Sequence, residues 1–501
     1  MLNSASALVI LALGAVMVAI FLHLGKQNAK NARLPPGPKP HWLNGTPIPA
    51  KAPWRYFYDQ SLKYGPLVTF WIGRDPAIVC NDVETATFFM EKNGRDTADR
   101  PKVMEVFSNG KRTLLVGYNE RWRRLRKGLH NPLQPNAARD LRPMQEKGAR
   151  EVILDILDTP LDFQSHIQTY AATLVVHMAY GRQDRARYSD PDIQKVITAS
   201  ERIAVFLKPG SFRIQQFPWL RHVPGYLSQF RKWADEELNL FRKQFFEVKV
   251  KVDAKKRVEP CFATYLMAHQ QEYQLNDDDV AYLLGSVFAA GSDTTSSALN
   301  ICVMAAAINP EAQKRVQAEL DSTVGSDHVP TFDDLDDLPV LKAFISETFR
   351  WRPVSAGGFQ HRTTSELIYK DYVVPAGTII TGNHWGIHRD ESYYGPNVED
   401  FDIDRWLTPD GQTKSNMKFF QYGFGRRVCP GQHVANNSVL MNAALLLWSF
   451  DIGKTIGPDG KPIDIDTYAF TNTANIHPLP FKATFTPRSQ HLAELIKESH
   501  A

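Results

Sequence analysis

The chain has 501 residues, 58 Lys and Arg against 54 Asp and Glu, and a formal net charge of +4 at neutral pH. With 43% hydrophobic residues it can bury a large core without cross-links, and it has neither the composition of a disordered chain nor a like-charge block that would serve as a nucleic-acid tail. Its four cysteines, Cys80, Cys261, Cys302 and Cys429, share no CxxC or finger spacing, which argues against a disulfide-built fold and leaves any one of them free to act alone.

The N-terminus carries the sharpest shift in composition. Ala7 to Leu22 is an unbroken run of apolar residues and glycine, and Ser6 and His23 extend it over 5–24. That is about the 20 residues a membrane-spanning helix needs. No basic region precedes the run and no small-x-small cleavage site follows it, which favours an anchor over a cleaved signal. Lys26, Lys30 and Arg33 then place the bulk of the chain on the cytosolic side. Residues 1–25 are therefore expected to form a transmembrane helix. Residues 26–40 form a basic, proline-rich hinge, with Leu34-Pro35-Pro36-Gly37-Pro38-Lys39-Pro40 stiffly extended. Residues 41–501 contain no internal repeat and no second linker, so they are expected to make one large domain.

Within that domain, Val68–Ile72 and Ala77–Cys80 alternate around Gly73-Arg74-Asp75-Pro76 and predict a hairpin. The rest is dominated by helical periodicity. The longest helix is predicted from Asn276 to Ile308, with Asp277, Asp278 and Asp279 at its positive end and Asn309-Pro310 stopping it. A second runs from Pro339 to Trp351, ending before Arg352-Pro353. A third follows Cys429, from Gln432 to Leu447. The fold class is mainly α with a minor β-sheet.

The most informative stretch is Tyr422-Gly423-Phe424-Gly425-Arg426-Arg427-Val428-Cys429-Pro430-Gly431. Its glycines let the backbone turn tightly and approach a ligand closely. The helix that follows points its N-terminus back at the sulfur, which favours a thiolate. This is the pattern of a metal-ligating cysteine in a backbone cradle. The loop resembles that of the cytochrome P450 haem-thiolate family, Phe-x-x-Gly-x-Arg-x-Cys-x-Gly, and matches it at Gly425, Arg427, Cys429 and Gly431, with Tyr422 in the place of Phe. The resemblance implies a single P450-type haem domain with haem b as cofactor and Cys429 as the iron ligand, whose thiolate favours O–O cleavage.

Other stretches carry the resemblance further. Glu347-Thr348-Phe349-Arg350 places Glu347 and Arg350 on one helix face. It corresponds to the family's Glu-x-x-Arg pair, with Arg405 of Phe401-Asp402-Ile403-Asp404-Arg405-Trp406 as the third member of the network; Ile403, Asp404 and Trp406 depart from the usual Pro-Glu-Arg-Phe pattern. Ala290-Gly291-Ser292-Asp293-Thr294-Thr295 puts an acid beside a hydroxyl where mid-helix hydroxyls compete for carbonyls. The resemblance makes Asp293 and Thr294 the acid–alcohol pair that delivers protons. Trp122 and Arg126, four apart, match a Trp-x-x-x-Arg motif, which implies contacts to the haem carboxylates together with Arg427 and His361; Arg100 is a further candidate.

Arg121, Arg123, Arg124, Lys127, Lys418 and Arg426 are expected to surround the cysteine loop as a docking face for an acidic electron donor. By resemblance that donor is NADPH–cytochrome P450 reductase, with cytochrome b5 as a second. The pocket is expected to be lined by 101–115, 206–217, Phe288, Ala289, Ser292, 354–359, Phe470 and Thr471, an apolar set suited to a neutral small molecule. Phe212–Leu220 with Trp219 is expected to meet the lipid interface. The function implied is an oxidoreductase, a monooxygenase of the fungal microsomal type in secondary-metabolite biosynthesis, on the endoplasmic reticulum membrane with its haem domain in the cytosol. Two readings compete with it: a haem-thiolate peroxygenase or isomerase working without a reductase, and a non-catalytic haem sensor.

Overall fold

A 32-residue helix, Asp277–Ile308, organises the computed structural model, which describes residues 33–186, 189–418 and 420–499. Asn276 caps it by accepting from the Asp279 amide, and Asp279 returns the bond to the Asn276 amide, so two of its first free donors are satisfied. Helices Phe163–Tyr180, Pro191–Phe206, Ser228–Asp253 and Gln432–Ser449 pack around it and share one large apolar core. Asn309 ends it as expected, while Pro310 opens the next helix, Pro310–Thr323, in the N-terminal position that proline tolerates. The helix Pro339–Trp351 has the predicted bounds, and Gln432–Ser449 runs two residues beyond them because Trp448 and Ser449 are also buried.

The main sheet has four strands in the order Leu67–Ile72, Asp75–Cys80, Ile379–Gly382 and His361–Arg362. The predicted hairpin forms with Val68 opposite Val79, but its turn is shorter than expected. Asp75 and Pro76 belong to the second strand, opposite Ile72 and Trp71. Parallel pairing with Ile379–Gly382 begins only at Ala77, so the missing N–H of Pro76 lies outside that ladder. Two small two-stranded sheets complete the minor β component.

The expected transmembrane helix at 1–25, and the hinge as far as residue 32, lie outside the described residues. Among the described residues no helix is long and apolar enough to cross a membrane. The remainder of the proline-rich segment is fastened to the domain. The Thr69 amide donates to the Pro36 carbonyl at 3.0 Å and the Val373 amide to the Arg33 carbonyl at 2.9 Å. Gly37 sits so close to the Thr69 carbonyl that a β-carbon would collide with it. Docking, as well as proline stiffness, holds this stretch.

Candidate functional site

The cysteine loop is closed by one backbone bond, from the Cys429 amide to the Tyr422 carbonyl at 2.8 Å. Gly425 has φ +49° and lies against the Met90 carbonyl, a position that combines left-handed backbone with no room for a side chain. The Tyr422 hydroxyl, an addition relative to phenylalanine, donates to Asn436 Oδ1 at 2.6 Å on the following helix. The expected bias toward thiolate is present but is outweighed. Burial pushes the Cys429 thiol up, against the Gly431 amide and the charge of Arg126, which pull it down. A metal cation on the sulfur supplies what the loop alone does not, since coordination removes the thiol proton.

Beside this loop the structure brings together every cation assigned to the haem carboxylates. Arg126 donates to the Val428 carbonyl at 2.6 Å. The Arg427 guanidinium lies 4.5 Å over the buried Trp122 ring and donates to the carbonyls of Ala98 and Val116 at 2.7 and 2.8 Å. Arg100, also buried, donates to the carbonyls of Leu114 and Gln360. His361 Nδ1 meets the Thr97 carbonyl at 2.9 Å. A carbonyl only accepts, so Nδ1 carries the proton. Burial and the charges of Arg100 and Arg427 hold the imidazole well below its ordinary range, hence neutral.

These groups are short of negative charge. Arg427 is pushed down to about 8, first by burial, then by Arg100, with Asp99 opposing and Arg126 adding to the effect; Arg100 is pushed down to about 10 by burial. A guanidinium stays protonated in proteins, so the depression measures how poorly the pocket solvates its cations. Two carboxylates would complete it, and a thiol stands beside it. The residues present therefore fit an iron porphyrin.

The Glu347 network is fully formed and differs in one partner from expectation. Arg350 Nε and Nη2 fork onto the two Glu347 oxygens at 2.7 and 2.8 Å, with both side chains essentially inaccessible. Arg405 approaches Glu347 Oε1 only at 3.5 Å and directs its hydrogen bonds to the carbonyls of Tyr394, Pro396 and Asn397. Trp406 donates its indole N–H to Glu347 Oε2 at 2.9 Å, and the Asp402 amide donates to Oε1 at 2.8 Å. Trp406, a departure from the family pattern, is thus a working member of the network. Trp406→Phe leaves a buried carboxylate short of one donor and is expected to cost about 1.5–3 kcal/mol, read as a lower unfolding midpoint in urea. An unchanged midpoint would refute that role.

The central helix is buried on both sides of one stretch. Val280–Gly285 and Thr295–Ala307 are inaccessible, whereas Ala290–Thr294 is accessible in mid-helix. The expected back-bonding occurs there: Ser292 Oγ donates to the Phe288 carbonyl and Thr294 Oγ1 to the Ala290 carbonyl, both at 2.8 Å, without breaking the helix. Asp293 has two partners that sequence reasoning missed. His477 Nε2 lies 2.8 Å from Oδ1, and Asn475 Nδ2 donates to Oδ2 at 3.2 Å. The signal available was the polar run Thr471-Asn472-Thr473-Ala474-Asn475, directly before Ile476-His477 and just after the expected lining residue Phe470.

Two of the expected lining segments, 101–115 and 206–217, meet, whereas Phe288 and Ala289 belong to the main core and Ala356 to another cluster, against which Phe470 packs. Val103, Met104, Phe107 and Leu115 pack with Ile203, Phe206, Ile214 and Phe230 in one apolar cluster. Phe212 is packed against that cluster, while Trp219 is 62% exposed. The expected basic face is largely neutralised. Arg121 pairs with Asp279, Arg123 with Glu120, Lys127 with Glu272 and Lys418 with Glu91. Arg124 bonds Gln274 and Arg426 lies over Tyr118, so among the described residues only these two of the six lack a carboxylate partner. Of the other cysteines, Cys80 and Cys302 are buried, with burial pushing both thiols up, and Cys261 is half-buried at a helix start.

Comparison with known proteins agrees with this geometry. A sequence model of the cytochrome P450 family matches residues 35–481. The chain is 43% identical over 484 residues, 96% of each chain, to cytochrome P450 monooxygenase 64 and equally to cytochrome P450 monooxygenase 88, both of Postia placenta. It is 31% identical over 502 residues to a cytochrome P450 monooxygenase of Armillaria gallica, covering 97% of this chain and 96% of that one. With the cysteine loop, the Glu347–Arg350 pair and the match over nearly its whole length in agreement, this chain belongs to the cytochrome P450 monooxygenase family of oxidoreductases, which employ haem iron.

Proposed function

We propose that the protein binds haem b and uses O₂ and electrons from NADPH to hydroxylate or epoxidise a mainly apolar small molecule of secondary metabolism. The electrons arrive through NADPH–cytochrome P450 reductase, with cytochrome b5 as an optional second donor. The observation that carries the reading is Asp293 beside Thr294 in the accessible stretch of the central helix, with partners on both oxygens of the acid.

Bound haem would supply a redox-active iron at which dioxygen is reduced. Cys429 Sγ would hold the iron, and Arg100, Trp122, Arg126, His361 and Arg427 would hold the porphyrin carboxylates. His361 donates from Nδ1 to Thr97 and needs a second proton on Nε2 to donate to a carboxylate, which an adjacent negative charge favours. Asp293 is placed to pass a proton through its carboxyl, and Thr294 Oγ1, now directed at the Ala290 carbonyl, presents one by rotation about its side-chain bond. The apolar cluster around Phe107 and Phe206 keeps water from the substrate. Arg124 and Arg426 are the cations that support docking of an acidic donor protein. Residues 1–25 anchor the chain in the endoplasmic reticulum membrane with the haem domain in the cytosol, and exposed Trp219 and Val223 meet the lipid.

Reconstitution with reductase and NADPH, against hydrogen peroxide alone, tests the reading. Product with the first and little with the second is expected; turnover on peroxide alone with no gain from reductase overturns it in favour of a peroxygenase. Thr294→Ala is expected to lower product per NADPH on the order of 100-fold, the lower end of what a positioned proton donor contributes, with peroxide release rising to match. Unchanged coupling in that variant removes the role.

A further inference from the structure

We propose that His477 is a positioning residue that orients Asp293 and recharges it with protons, extending the acid–alcohol pair to a third titrating side chain outside the central helix. The inference rests on the reading of Asp293 and Thr294 as the proton-delivering pair.

The geometry is built from both sides. The segment carrying His477 is clamped to the central helix, where Ser297 Oγ donates to the Ile476 carbonyl at 2.6 Å, and to the chain after Trp351, where the Ile476 amide donates to the Val354 carbonyl at 2.7 Å. His477 itself is fixed by reciprocal bonds with Thr471: its amide donates to Thr471 Oγ1 at 2.9 Å and its carbonyl accepts from the Thr471 amide at 2.8 Å. Asn475 is oriented by Ser355 Oγ, which donates to Asn475 Oδ1 at 2.7 Å and leaves its amide for Asp293 Oδ2. Both oxygens of the acid are thus held by one rigid loop. Five hydrogen bonds hold the segment that carries these two side chains.

The charges facing His477 all favour its protonated form. They are Asp293 on the central helix and Glu201 on the helix Pro191–Phe206, which packs on the loop through the Ala474 amide and the Ala204 carbonyl. Burial pulls the imidazole down, but the hydrogen bond to Asp293 and the charges of Asp293 and Glu201 more than offset this, so it sits above its ordinary value. The side chains of His477 and Asp293 are 24% and 27% accessible, so water reaches the pair.

The step balances without any electron transfer. The His477 Nε2–H bond breaks and an Asp293 Oδ1–H bond forms, converting imidazolium and carboxylate to imidazole and carboxylic acid. Asp293 then yields its proton toward Thr294, and the imidazole takes a replacement from water. A carboxylate alone would have to recover its proton from bulk at neutral pH, where it is almost wholly ionised.

The test uses the holoprotein with reductase, NADPH and air, following NADPH oxidation from pH 6 to 9, and compares Asp293→Asn, His477→Gln and His477→Ala with the parent. His477→Gln keeps a donor to Asp293 but cannot titrate. It is expected to slow oxidation about tenfold at pH 7 and to abolish the parent's fall at alkaline pH, with a larger solvent isotope effect. A second readout is independent of turnover. A raised histidine stabilises the fold below about pH 6.5 and loses that contribution as pH rises through its folded pKa, so the parent's Tm advantage over His477→Gln should shrink across neutral pH. A parent-like pH profile in His477→Gln, with Asp293→Asn impaired, overturns the role of His477 alone. An unimpaired Asp293→Asn overturns the acid–alcohol reading with it.

Discussion

Replacing Arg350 with alanine is expected to yield haem-free or aggregated protein. Arg350 holds both oxygens of Glu347 and also donates to the carbonyls of His388, Val398 and Asp400. Its removal strands a carboxylate that no solvent reaches and leaves three carbonyls without that donor. Breaking a buried pair from one side costs about 3–5 kcal/mol, a large part of the 5–15 kcal/mol that holds a typical protein folded. The Asp402 amide and Trp406 indole remain on Glu347 but are neutral, and the cation left beside it is Arg405, which at 3.5 Å makes no hydrogen bond to it. Arg350→Lys gives little rescue, because an ammonium cannot fork onto two oxygens while serving three carbonyls. The reduced-CO difference spectrum of the soluble fraction, per unit protein, measures the outcome. Full haem incorporation by Arg350→Ala would show that the pair is dispensable.

The second large effect is at Cys429. Cys429→Ser keeps the loop's backbone bond to Tyr422 and nearly the same volume, so the fold should survive with the thermal midpoint of the haem-free parent. Haem affinity should fall further than the ~10–100-fold that removing an outer partner of a metal ligand typically costs. Any haem retained should show a reduced-CO Soret band away from the thiolate position, and NADPH-driven oxidation should be lost. Cys302→Ser is the control, since that thiol is buried beside Phe344, Ala443 and Leu446. A thiolate-type spectrum in Cys429→Ser would place the iron ligand elsewhere.

What was legible in the sequence was what local rules determine. The central helix announced itself through a capping asparagine, three aspartates and a terminal Asn-Pro, and its bounds follow to within a residue. The cysteine loop was legible because glycine is required where φ is positive, as at Gly423 and Gly425. Long-range partners were not. No pattern within 401–406 shows that Trp406, rather than Arg405, donates the hydrogen bond to Glu347, because that depends on how a turn whose Trp406 lies 59 residues beyond Glu347 folds back. His477 lies 184 residues beyond Asp293 and joins it only when its loop docks on the central helix. The pairing of the basic face was hidden for the same reason, since Arg121, Lys127 and Lys418 find Asp279, Glu272 and Glu91 far along the chain.

The crowding of Arg100, Arg126 and Arg427 would tie the stability of the folded domain to the binding of carboxylates beside the cysteine loop. Arg427 is disfavoured by Arg100 and Arg126, with Asp99 as the neighbouring carboxylate, and two carboxylates bound there would relieve that repulsion. Haem that binds only the folded chain would add to its intrinsic stability, by an amount that rises with the logarithm of free haem. In a haem-starved cell the protein should turn over faster, and its abundance, more than its specific activity, would report how much haem the cell can spare.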